Sequence, residues 1–89
     1  MVEIDGANPD LERLMAEAAE QLGEQPIGAG IERLEMRDGM VTVELDPAVF
    51  EGDPNDLLEW MIQYIKARDV AFDSIRILGA GETLATKKL

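Results

Sequence analysis

The 89-residue sequence contains no cysteine and no histidine. The first absence excludes disulfides and thiolate nucleophiles and leaves the redox compartment unreadable. The second removes the commonest general base and, together with the first, the favoured zinc ligands. Aromatic residues are scarce: one Trp, one Tyr and two Phe. No apolar run approaches the roughly 20 residues of a membrane-spanning helix. No basic flank leads into an apolar stretch near the start, so no signal peptide is expected and cytoplasm is the expected location. Positive charge is also short, with eight Lys and Arg against 19 Asp and Glu, for a net charge of −11. That balance disfavours nonspecific nucleic-acid binding, which needs a positive surface. It favours solubility and leaves room for a basic partner.

What is present is a globular composition. Hydrophobic residues make up 46% and the mean hydropathy is −0.10, so one domain over residues 1–89 with one modest core is expected. The charge is uneven. Residues 1–28 carry −6, residues 29–46 carry −3 and residues 47–73 carry −4, whereas residues 74–89 carry +2.

The strongest organising segment is Pro54 to Arg68, with the only Trp and Tyr and the densest apolar run. Asp53 suits the N-cap, Pro54 the first turn, and Asp56 the positive end of the helix dipole. At about 100° per residue, Leu57, Met61, Tyr64 and Ile65 group together. Leu58 and Ile62 flank them on one side, Trp60 and Ala67 on the other. The apolar sector is roughly 220° wide, far more than a surface helix needs. Such a helix is expected to cover a sheet and to touch a second element or a partner as well. An earlier helix is predicted from Pro9 to about Leu22, with Asn8 as its cap, Gly23 as its stop and Pro26 blocking a restart.

Between these helices lies the clearest hairpin. Ile31–Arg37 and Met40–Leu45 flank Asp38-Gly39, the preferred two-residue turn. The turn fixes a register of Arg37 with Met40, Met36 with Val41, Glu35 with Thr42, Leu34 with Val43 and Arg33 with Glu44. Leu34, Met36, Val41 and Val43 then share the buried face, and Arg33 and Glu44 form a cross-strand ion pair. Ala48-Val49-Phe50 suits a short turn that tucks Phe50 against the core edge. Ser74–Leu78 reads as a strand burying Ile75 and Ile77, and Gly79-Ala80-Gly81 turns the chain. Glu82–Thr86 suits an edge strand or a tail, and Val2–Asp5 a short strand or a loose tail.

The expected class is α+β. It is a two-layer sandwich in which an antiparallel sheet of three to five strands carries two helices on one face. If Val2–Asp5 is a strand, the order is the βαββαβ of ferredoxin-like folds or a close variant. Parallel neighbours around the second helix would then be joined by a right-handed crossover.

No catalytic set, cofactor motif or metal site is expected. Glu44, Asp46, Glu51, Asp53 and Asp56 are dense in carboxylate, but their spacing matches no EF-hand loop and Pro47 and Pro54 interrupt it. Gly79-Ala80-Gly81 follows a strand as a dinucleotide-binding turn does, but Leu84 stands where the third glycine belongs and no helix fits after it. Arg33, Arg37 and Arg76, three of the five arginines, should share the outer sheet face with Met40, Thr42, Glu35 and Glu44. Solvated cross-strand ion pairs are the plain account of that face; a contact surface is the functional one. Arg33, Arg37, Met40 and Arg76 are therefore candidate partner-binding residues. Trp60, of a type enriched in interface hot spots, is a further candidate, although a single Trp on an amphipathic helix is more often core. The expected function is a non-enzymatic protein-interaction or regulatory module, as an oligomer or a subunit of something larger. An acidic inhibitor mimicking nucleic-acid charge is the alternative, and a carboxylate-based metal binder or enzyme the third. Partners are expected to be protein or a second copy, with no nucleic acid and no membrane.

Overall fold

The computed structural model describes residues 2–25 and 28–89; Pro26 lies outside them. The order of elements is β1 (Glu3–Gly6), α1 (Pro9–Gly23), β2 (Ile31–Arg37), β3 (Met40–Leu45), α2 (Pro54–Lys66), β4 (Ser74–Gly79) and β5 (Glu82–Lys88). Both segments left open by the sequence are strands.

Both helices start as their residues dictate. Asn8 Oδ1 accepts the Leu11 N–H at 3.0 Å, and Asp53 Oδ1 accepts the Asn55 N–H at 2.9 Å. Proline occupies the first turn of each, where no N–H is required. α2 buries Leu57, Leu58, Met61, Ile62 and Ile65, each contributing about 1.5–3 kcal/mol relative to exposure. Trp60 and Tyr64 are half-buried at the margin of the same core, while Ala67 is exposed just past the helix end. The wide apolar sector is thus used: α2 packs on β4 and β5 and touches α1.

The Asp38-Gly39 hairpin has the expected register at all five pairs, from Arg37 with Met40 to Arg33 with Glu44. Both turn residues have positive φ, 54° and 76°, as a type I′ turn requires. One feature is additional. A register shift between Ile31 and Arg33 leaves Glu32 without a partner and brings Ile31 opposite Leu45. The bulge turns Ile31 into the core and leaves Glu32 exposed.

The sheet itself corrects the expectation. It is mixed rather than antiparallel, and its order is β1-β2-β3-β4-β5. β1 pairs parallel with β2, and β3 parallel with β4; the two hairpins supply the antiparallel pairs. A ferredoxin-like sheet would set β1 in the centre. Here β1 is four residues long with one partner, and α1 returns the chain to β1's own neighbour. β5 folds back on β4 and takes the opposite edge. The inward side chains Leu34, Met36, Val41, Val43, Ile75 and Ile77 join those of both helices in one core. Because the helices share a face while the two parallel pairs run in opposite directions, the crossovers have opposite hands. One is therefore left-handed, against the general preference.

Candidate interaction face

The outer face of the sheet carries no helix. Register divides it into three rows across the strands. The middle row is Asp5, Glu35, Thr42, Arg76 and Thr86; on one side lie Glu3, Arg33, Glu44, Leu78 and Thr83, and on the other Arg37, Met40, Ser74 and Lys88. Period-2 alternation puts these side chains on the face opposite the core residues Leu34, Met36, Val41, Val43, Ile75 and Ile77.

Arg33 is the hub of the acidic half. Its guanidinium reaches Glu35 Oε2 at 2.6 Å, Asp5 Oδ2 at 3.0 Å and Glu44 Oε2 at 3.4 Å. The expected pair with Glu44 forms, but it is the longest of the three. Arg37 Nη2 donates to Asp5 Oδ1 at 3.0 Å and to the Gly6 carbonyl at 3.3 Å. Asp5 therefore bridges two arginines of the neighbouring strand. The hydrogen bond from Arg37, then that from Arg33, outweigh partial desolvation and hold the Asp5 carboxyl below the usual carboxylate range. Partial burial works against the Arg33 charge, but Glu35, Asp5, Glu3 and Glu44 more than compensate and hold it protonated. The Arg33 Nε is buried and has no hydrogen-bond partner among the described residues.

The other half of the face is different. Arg76 Nε donates to Thr42 Oγ1 at 3.2 Å, and among the described residues Arg76 makes no ion pair. Thr42 sits in the central strand and is only 5% exposed. Met40, 37% exposed, and the half-buried Leu78 give this half its apolar surface.

Four of the five candidate residues are thus brought together: Arg33, Arg37, Met40 and Arg76 share one face. Trp60 does not join them. It lies in the helix layer on the far side of the sheet, stacked on Tyr64 with ring centroids 4.9 Å apart. Arg68 covers the other partner of that stack, its Cζ 3.8 Å from the Tyr64 ring centroid, and reaches Glu17 of α1 at 3.7 Å. Burial raises the Tyr64 pKa, with Arg68 opposing and Glu17 and Glu20 adding to the rise. Trp60 is thus one end of a stack whose other end, Arg68, reaches α1. The sequence reading missed Asp5 as a member of the face; the alternation of Glu3 and Asp5 around Ile4 was the available signal.

The carboxylates between Glu44 and Asp56 do not converge. Among the described residues no three acidic side chains gather as cation ligands, and Asp46 and Asp53 accept backbone N–H groups of Ala48 and Asn55 instead. Among the described residues no cleft or cavity forms and no helix is long and apolar enough to cross a membrane. No protein-family model matches the chain, and comparisons with curated proteins and with solved structures find no match.

Proposed function

We propose that this chain is a non-enzymatic protein-interaction or regulatory module of the cytoplasm, working through the outer face of its sheet. One observation carries the reading. Arg33, Arg37, Met40 and Arg76 stand together on an uncovered face of a five-stranded sheet held rigid by backbone hydrogen bonds on both sides of its central strands. Arginine is enriched in protein interfaces because its planar fork recognises carboxylates and its stem covers apolar area. Met adds a surface that adapts its shape. The ion pairs of Arg33 and Arg37 hold the acidic side of the face in one arrangement, which lowers the entropy lost on docking.

The test is affinity capture from an extract of the source organism with the intact chain, run beside an Arg37→Glu/Arg76→Glu variant and an Asp10→Asn/Glu17→Gln variant. Loss of the captured protein, or of self-association, in the first variant but not the second supports the sheet face. Capture that survives the first variant and fails in the second favours the alternative, an acidic mimic of nucleic-acid charge. Its supporting observation is the exposure of the four carboxylates Asp10, Glu12, Glu17 and Glu20 on α1.

A further inference from the structure

The paired positions of the outer face carry four carboxylates, Glu3, Asp5, Glu35 and Glu44, and four cations, Arg33, Arg37, Arg76 and Lys88. Apart from the bulged Glu32, these rows are therefore neutral, and the remaining −10 of the chain's −11 lies on the helices, turns and loops. The neutrality is not uniform. All four carboxylates and two cations sit on β1–β3, and the other two cations sit on β4 and β5. The face is acidic at one side and basic at the other.

We infer that this face docks on a second copy of itself, related by a two-fold axis running along β3. The inference rests on the reading of the outer face as an interaction surface and names its partner. Three observations select that occupant. The sheet face is the surface on which two chains of charge −11 can meet with least repulsion, and it points both acidic helix layers outward. A two-fold axis along β3 lays β4 over β2 and β5 over β1, so each basic half meets an acidic half. Such an isologous contact is the commonest form of closed assembly, and complementary potentials set its register. Finally, Arg76 stands in the same row as Glu35, one strand to either side of Thr42. The axis therefore places each Arg76, which has no carboxylate of its own among the described residues, opposite Glu35 of the other copy. Met40 and Leu78 flank this contact.

Five strands about 4.8 Å apart and about 20 Å long give a flat area of roughly 500 Å² per copy. Two copies bury about 1,000 Å², at the low end of specific interfaces, so a reversible dimer is expected. Sedimentation equilibrium in about 0.15 M salt, where charges beyond roughly 8 Å are screened, reads it directly. The weight-average mass should rise from 9.8 kDa toward twice that value as concentration increases into the range, on the order of 0.1–1 mM, that suits weak contacts. Arg76→Glu places an acid against Glu35 in both copies and should weaken the dimer at least about tenfold, a change of about 1.4 kcal/mol. Glu35→Arg should do the same, and an equimolar mixture of the two variants should recover association, because both cross-contacts are again complementary. Circular dichroism checks that each variant is folded. Should Glu35→Arg fail to fold, concentration-dependent amide shifts in the wild-type chain provide the second readout. They should fall on Met40, Thr42, Arg76 and Leu78 and spare α1. A wild-type chain that stays monomeric throughout, or an Arg76→Glu chain that associates as the wild type does, overturns the inference. A monomer whose outer face still captures another protein overturns it while leaving the proposed function standing.

Discussion

The carbonyl of Gly39 accepts the N–H of Asp73 at 2.7 Å. The turn of the first hairpin is thereby latched to the residue that precedes β4, and β3 and β4 start side by side as parallel neighbours. Gly39 also has φ of 76°, and a Cβ built there would lie 2.5 Å from Asp73 Oδ2. Gly39→Ala should destabilise the fold by about 1–2 kcal/mol, chiefly through the left-handed backbone, since the Asp73 carboxylate can swing aside. Urea unfolding with an unchanged m-value is the measurement.

Ala80 presents the opposite case. It sits in the second hairpin turn with φ of 52°, where an L residue is strained. Ala80→Gly relieves that strain at some cost in unfolded-chain entropy, so a gain of up to about 1 kcal/mol is expected. A melting temperature below that of the wild type would contradict it.

Leu34 and Val43 face each other across β2 and β3, and both are fully buried. Leu34→Ala should cost about 2–5 kcal/mol, through lost transfer energy and the cavity left behind. Thermal denaturation followed by circular dichroism reads the change. A loss under about 1 kcal/mol would mean that the inner face is not packed as described.

Asn8 caps α1 through Leu11 N–H, and Asn8→Ala should cost about 1 kcal/mol. Asn8→Asp should retain most of it, because the carboxylate still accepts the bond and favours the helix N-terminus.

Asp5 supplies the pH dependence. Its folded pKa lies below the unfolded value because Arg37, then Arg33, hydrogen-bond its charged form. The pair's stabilisation is thus present above the unfolded pKa, about 3.9, and is lost as pH falls through the folded one. Asp5→Asn should flatten the stability profile in that acid window and leave its shape near neutrality unaltered. An Asp5 carboxyl that titrates by NMR at or above the unfolded value would remove the bridge from the account.

Much of this was legible in the residues because the signals are local. The alternation of Leu34, Met36, Val41 and Val43 and the Asp38-Gly39 turn specify the hairpin, its register and which side chains look outward. Caps and apolar spacing place α1 and α2. The gathering of Arg33, Arg37, Met40 and Arg76 on one face follows from the same period-2 rule. Whether Trp60 meets core or partner is not legible in the sequence, since a half-buried residue on a wide apolar helix has the same spacing in both cases. In the fold it meets Tyr64.

By itself, then, the sequence determined the elements, their faces and the pairing within the β2–β3 hairpin, because short-range torsional preference and side-chain period act within a few residues. Only the tertiary structure decided that β1 lies beside β2, that β3 and β4 run parallel, that the two crossovers differ in hand, and that Asp5 meets Arg33 and Arg37. Those choices are made by backbone hydrogen bonds between strands far apart in the chain. Such bonds are the same for every residue type and leave no pattern to read in advance.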